Sequence, residues 1–305
     1  MSVCWLCPGQ GSQSPDMFGR LAGDPHLAKH LARLAGGLEA DAMAIAADDS
    51  RCFLNRHAQP LIVLYGLTVA AALDDAGLAP ALVAGYSVGE LTAHAVAAAL
   101  APGDALRLAT ARAACMDAAT PADYGMLAVR GLRLDALEPL ATEAGAVIAI
   151  RNGADHGVLA GPQHGLAQLA DTLSASSSAH IVALRITVPA HSRWLVAGVE
   201  PLRAELAAAH WHPYRAPVLS ALDGQPVSRA ADAVATLARQ IAEPLDWACT
   251  LDIAVEMGAT AFFELGPGSS LTRMVRERFP ELQARAFDDF ATVDGAVAWL
   301  QRQSG

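Results

Sequence analysis

The stretch Val83-Ala84-Gly85-Tyr86-Ser87-Val88-Gly89-Glu90-Leu91-Thr92-Ala93-His94 decides how this chain is read. Gly85, Ser87 and Gly89 fit the pattern G-x-S-x-G, preceded by the short apolar run "ALVAG" and followed by "VGELTAHAVAAAL". That order predicts a strand, a sharp turn and a helix. A serine on such a turn has its hydroxyl exposed, and only small residues two positions either side leave room for the bend. The next backbone N–H then points at a reacting carbonyl oxygen, and the helix N-terminus adds partial positive charge there. The competing reading is an ordinary serine in a glycine-rich loop. The predicted strand and helix flanks favour the nucleophile.

Outward from this turn, apolar β-rich segments alternate with alanine- and leucine-rich helical ones. Strands are expected at 3–6, 81–85, 217–222 and 260–266, and helices at 26–38, 59–76, 88–100, 103–118 and 193–209. Strands alternating with helices of this length imply a mainly parallel sheet covered by helices, an α/β, hydrolase-like core. The middle differs. Strands at 125–132, 146–153, 156–162 and 179–186, with helices near 134–144 and 164–175, give the order β-α-β-β-α-β. That order predicts an inserted ferredoxin-like α+β subdomain. The expected division is a large domain of residues 1–123 and 188–305 and a small subdomain of residues 124–187. The polar run "SASSSA" at 174–179 is a short connection, and there is no internal repeat.

Composition narrows the function. The 305 residues are 53% hydrophobic and 17% charged, enough to bury a sizeable core. The formal charge is −10, and Lys29 is the only lysine, so a nucleic-acid partner is not expected. The longest apolar run, "LIVLYGLTVAAAL" at 61–73, suits a buried helix better than a membrane span. The N-terminus has no signal-peptide pattern, and a cytoplasmic location is expected. Cys4 and Cys7 form a C-x-x-C, but within an apolar strand and without a second Cys or His pair. They read as core residues, and no metal site is expected. Arg273, Arg276 and Arg278 could dock an acidic partner; the simpler reading is a solvated helix face.

A second glycine-rich loop, "CPGQGSQ" at 7–13, follows the first strand and could offer free N–H groups to an oxyanion. Taken together, "PGQGSQ", "GYSVGE", an arginine 25 positions after the serine, "VPAHS" and "ELGPG" resemble the malonyl-CoA:acyl-carrier-protein acyltransferase family. The resemblance runs in order over essentially the whole chain. It also accounts for the ferredoxin-like insertion, which that family carries. Members move a malonyl group from coenzyme A to a carrier-protein thiol through an acyl-serine.

The resemblance implies roles one position at a time. Ser87 matches the nucleophile and His191, in "VPAHSRW", the base. Arg112, in "LATARAACM", matches the residue that grips the free carboxylate of the malonyl group, a task for a planar guanidinium. Gln10 and Val88 match the oxyanion-hole donors, acting through backbone N–H groups. Gln240, in "RQIAEPLDW", matches the position whose backbone carbonyl orients the histidine. Nine other histidines compete for the role of base on residues alone; His94, His210 and His212 read as packing or surface residues. No permanently bound cofactor is implied. Malonyl-CoA is the substrate, and the acceptor arm on the acyl carrier protein is phosphopantetheine or another coenzyme-A-derived thiol.

Tyr86 departs from the family's usual G-H-S-x-G. A tyrosine there resembles the acyltransferase (epsilon) subunit of malonate decarboxylase, which would add other decarboxylase subunits as partners. The alternative within the class is the transacylase of fatty-acid or polyketide synthesis. An α/β-hydrolase or thioesterase would need a late histidine, and none follows His212. A silent scaffold is disfavoured by the intact Ser87, His191 and Arg112.

Overall fold

The computed structural model describes residues 2–38 and 41–304. Eleven strands form two sheets: β1 Ser2–Cys7, β2 Leu82–Gly85, β3 Tyr124–Arg130, β4 Val147–Arg151, β5 His156–Pro162, β6 His180–Ala183, β7 Val218–Leu219, β8 Pro226–Val227, β9 Leu245–Asp246, β10 Ala259–Glu264 and β11 Gln283–Ala286. The large sheet has the order β11-β10-β1-β2-β7-β8. All its neighbours run parallel except β7 and β8. Its central strands β1 and β2 are buried almost throughout, which is why they read as unbroken apolar runs rather than alternating ones. The helix Asn55–Asp75 is buried along most of its length and carries the 61–73 run. Among the described residues, no helix is long and apolar enough to cross a membrane.

The small sheet has the order β6-β3-β5-β4-β9. Its four inserted strands pair antiparallel, and helices Leu134–Glu143 and Gln163–Ser176 pack on it around a separate core that includes Leu127, Leu137, Leu159 and Leu173. This is the ferredoxin-like unit. β9, from much later in the chain, adds to it in parallel beside β4.

Several elements differ from the pattern expected of the sequence. The helix foreseen over 193–209 is a 3-10 turn, Arg193–Gly198, followed by the helix Val199–Ala208. Gly198, where the two meet, keeps a right-handed helical backbone (φ −83°, ψ −12°), and a Cβ there would lie 2.9 Å from the Cys115 carbonyl oxygen, so the close approach favours glycine. The helix after Ser87 ends at Val96 rather than 100, because Ala98 turns left-handed (φ 60°) and Leu100 bridges to Trp211. The strand expected over 217–222 pairs only at Val218–Leu219.

Cys4 and Cys7 lie buried in β1, and burial pushes both thiols up. Three residues apart on a strand, they face opposite sides. All five cysteines are free. Arg276 and Arg278 pair with Asp289 and Asp252 on the protein's own surface.

The parallel register sets up the site. Cys7 at the end of β1 pairs with Gly85 at the end of β2, so the loops leaving these two strands lie side by side at the carboxyl edge of the sheet.

Candidate active site

Ser87 stands where β2 turns into the helix Gly89–Val96, with φ at 57°. The neighbouring glycines have steric reasons. A Cβ on Gly85 would lie 2.2 Å from the Glu90 Cα, and one on Gly89 would lie 2.0 Å from the Cys7 carbonyl oxygen. Neither position has room for a side chain. The loop after β1 presses equally close, since a Cβ on Gly9 would meet the Tyr86 carbonyl at 2.6 Å. Gln10 and Val88 thus flank the serine from two loops. Among the described residues, neither of their backbone N–H groups finds a hydrogen-bond acceptor.

His191 comes from the segment before the 3-10 turn and is buried. Its Nε2 lies 2.8 Å from the Ser87 Oγ, and its Nδ1 lies 2.6 Å from the backbone carbonyl oxygen of Gln240. A carbonyl only accepts, so Nδ1 carries the proton and Nε2 offers its lone pair to the serine hydroxyl. Burial, reinforced by the nearby charge of Arg112, pushes the His191 pKa down to about 3, against the pull of the Gln240 carbonyl. The imidazole is therefore neutral across the physiological range. Among the described residues no carboxylate hydrogen-bonds to it; a peptide carbonyl fills the third position.

Arg112 projects from the helix Pro102–Ala119 and is only 1% exposed. Its Nη1 donates to the Gln59 Oε1 at 2.8 Å, and its Nη2 donates to the Gln240 Oε1 at 3.1 Å and to the Ser87 Oγ at 3.3 Å. Its Nε has no hydrogen-bond partner among the described residues. Burial lowers the Arg112 pKa to about 10, so the group stays cationic. A buried guanidinium held by neutral amides, with a donor unused, has the chemistry to bind an anion beside the serine.

The structure thus gathers Ser87, His191, Arg112 and Gln240 into one hydrogen-bonded cluster with Gln10 and Val88 beside it. His94 is elsewhere, buried between Trp211 and Tyr214, while His210 and His212 pack on each other. Tyr86 donates to the Asn152 Oδ1 at 3.1 Å and packs edge-on against Trp247, tying the nucleophile turn to the small sheet. Gln59, Glu90 and Asn152 were not singled out from the sequence. For Glu90 a signal existed: a carboxylate one step past the elbow glycine, opening an apolar helix. Gln59 and Asn152 carry none, because their roles arise from tertiary neighbours. No group of three or more His, Cys, Asp or Glu among the described residues could hold a metal ion.

A hydrolase-like parallel sheet with a serine elbow at its carboxyl edge, plus a ferredoxin-like insertion, defines an α/β enzyme built around acyl chemistry. Comparison with known proteins gives the family. Residues 4–295 match the acyl transferase domain family. The chain is 31% identical over 299 residues to a malonyl CoA-acyl carrier protein transacylase of Mycobacterium bovis, covering 96% of this chain and 98% of that protein. It is 26% identical over 311 residues to the protein of that name from Bacillus subtilis, covering 99% and 98%. The solved acyl-carrier-protein S-malonyltransferase of Burkholderia pseudomallei superposes with a TM-score of 0.89 at 29% identity, covering 98% of this chain and 100% of that one. The chain belongs to the acyl transferase domain family and is an acyltransferase.

Proposed function

We propose that this enzyme transfers a malonyl group from malonyl-CoA to the thiol arm of an acyl carrier protein by a ping-pong route through malonyl-Ser87. The observation that carries the reading is Arg112, a buried cation with an unused donor whose Nη2 lies 3.3 Å from the nucleophile. It suits an acyl group that ends in a carboxylate. The names of the relatives point the same way.

In the first half-reaction the Ser87 Oγ attacks the thioester carbonyl as its proton passes to the His191 Nε2. The oxyanion rests on the N–H groups of Gln10 and Val88; losing one such donor typically costs on the order of 10²–10³ in rate. The carbon–sulfur bond breaks, and His191 returns the proton to the departing coenzyme A sulfur. In the second half the carrier thiol gives its proton to His191 and attacks the ester, and Ser87 leaves with that proton. The Gln240 carbonyl keeps the imidazole in one tautomer throughout. Arg112 holds the carboxylate through both halves.

Tyr86 supports the finer reading, the acyltransferase subunit of malonate decarboxylase, with the other decarboxylase subunits as partners and a coenzyme-A-derived arm as acceptor. The transacylase of fatty-acid or polyketide synthesis, using a phosphopantetheine arm, is the alternative. Five free cysteines suit a cytoplasmic setting. We assign residues 1–123 and 188–305 to the large domain and 124–187 to the small one, supported by the separate core of the latter.

The deciding experiment is intact-protein mass after brief incubation with malonyl-CoA or acetyl-CoA. A malonyl adduct that is absent in Ser87→Ala, weakened in Arg112→Ala and scarce with acetyl-CoA is the expected result. No adduct and no coenzyme A release would overturn it, and release without an adduct would make the protein a hydrolase. Transfer from the loaded enzyme to carriers bearing either arm separates the two finer readings.

A further inference from the structure

Glu90 lies one position past Gly89, in the first turn of the helix behind Ser87, and is fully buried. Its two oxygens are used unequally. Oε2 accepts from the Ala221 N–H at 3.0 Å and from the Gln240 Nε2 at 2.6 Å. Oε1 has no hydrogen-bond partner among the described residues, and the His94 Nε2 lies 3.9 Å from it. Gln240 is itself fully buried. A primary amide has one donating end and one accepting end. With its Nε2 committed to Glu90, its Oε1 has to face the other way, where it accepts from the Arg112 Nη2 at 3.1 Å.

We infer that Glu90 is a positioning residue of the acyltransferase site: it fixes the orientation of the Gln240 amide, and through that amide it aims Arg112 at the carboxylate of the incoming acyl group. This rests on the reading of Arg112 given above. The Glu90 backbone N–H donates to the Ser87 carbonyl at 3.1 Å, but its carboxylate hydrogen-bonds to Ala221 and Gln240 and not to the Ser87 hydroxyl or the His191 ring. Without its acceptor the Gln240 amide is free to turn over, and its NH₂ would then face the guanidinium, donor against donor. Arg112 loses one of the two amide oxygens that hold it, and the site loses selectivity for a carboxylated acyl group before it loses the capacity to acylate. Burial raises the Glu90 pKa to about 7, against the pull of its two hydrogen bonds and of the Arg112 charge.

The test compares initial acylation rates with malonyl-CoA and acetyl-CoA for the wild type, Glu90→Gln, Glu90→Leu and Gln240→Met. The glutamine amide oxygen can accept the same two donors, so Glu90→Gln is expected to keep the malonyl-to-acetyl ratio within about threefold of wild type. Glu90→Leu and Gln240→Met are expected to lower that ratio roughly tenfold or more, through malonyl kcat/KM. Circular dichroism and melting report whether each variant is folded. Should Glu90→Leu fail to fold, Gln240→Met and Glu90→Gln decide between them.

A folded Glu90→Leu or Gln240→Met with the wild-type ratio overturns the inference. So does a Glu90→Gln protein that loses as much selectivity as Glu90→Leu, because charge rather than geometry would then be at work. A wild-type protein that takes no malonyl group would instead overturn the reading of the site itself, and this inference with it.

Discussion

Ser87 and His191 meet at 2.8 Å although each holds a left-handed backbone conformation, with φ of 57° and 59°. A non-glycine residue in that region costs on the order of 1–3 kcal/mol and persists only where its surroundings impose it. For Ser87 the surroundings are the walls against Gly85 and Gly89. For His191 they are two hydrogen bonds to consecutive residues, its N–H to the Ile241 carbonyl at 2.9 Å and its Nδ1 to that of Gln240. Four non-glycine residues among those described have a left-handed φ, Ser87, Ala98, Asp123 and His191, and two of them face each other across the site.

That strain should be measurable at Ser87. Glycine accepts a left-handed φ without a Cβ clash, whereas alanine keeps the clash while also removing the hydroxyl. Ser87→Gly is expected to be about 1 kcal/mol more stable than Ser87→Ala, a melting difference of roughly 2 °C in a chain of this size, with both variants inactive. Calorimetry on the pair reads it directly. Equal melting temperatures would mean the turn stores no such energy.

The low pKa of His191 leaves activity flat over a pH range in which stability falls. The base works when neutral, which it is above a pKa of about 3, so free-enzyme acylation should not fall as pH drops through 6.5. Coenzyme A release in the first turnover is expected to stay within about twofold between pH 7.5 and pH 5. Stability behaves otherwise. Below about pH 6.5 the unfolded chain binds a proton at this histidine and the folded protein does not. The contribution is complete above that value and is lost by about 1.4 kcal/mol per pH unit as pH falls toward 3. An acid limb near 6.5 in the rate would show an imidazole that is not held neutral.

The elbow was legible in the sequence because its sterics fall at fixed local spacing: Gly85 and Gly89 are glycines for reasons that lie within a few residues or one strand away. The β-α-β-β-α-β order was legible for a similar reason, each element carrying its own periodicity. Arg112 left a trace, a cation in the alanine-rich half of its helix, although Arg107 stands on the same helix. His191 left none beyond the family resemblance, since nothing within "VPAHSRW" distinguishes it from other histidines. The β9 pairing was invisible because a two-residue strand has no pattern, and the close approach of Gly198 to the Cys115 carbonyl because it joins segments far apart in the chain. Glu90 was in plain view and still missed, because its function depends on Gln240, 150 positions away.

The elbow's steric walls yield a stability contrast. Gly89→Ala would drive a Cβ to 2.0 Å from the Cys7 carbonyl oxygen and 2.6 Å from that of Pro8, both backbone atoms that cannot swing aside. A loss of more than about 3 kcal/mol, or failure to fold, is expected. Gly103→Ala, in the first turn of the helix Pro102–Ala119 with open space around its Cβ, should be neutral or stabilising by roughly 0.5 kcal/mol. Urea denaturation of the two variants separates them. Comparable stabilities would mean the β1 loop can withdraw from the turn.

Replacing Arg112 with lysine tests shape against charge. Two amide oxygens, from Gln59 and Gln240, grip separate Nη atoms of the guanidinium and leave Nε without a hydrogen-bond partner among the described residues. A lysine ammonium keeps the positive charge but cannot span both amides and present a planar pair of donors. If the fork recognises the acyl carboxylate, Arg112→Lys should lower malonyl kcat/KM by roughly 10²-fold, as expected for losing a charge-assisted bidentate contact. Acetyl loading needs no such contact and should hold or rise, so the two substrates converge. Single-turnover acylation with both thioesters measures the convergence. A lysine variant that still loads malonyl within about threefold of wild type would assign the preference to charge alone, and the planar grip would have no part in it.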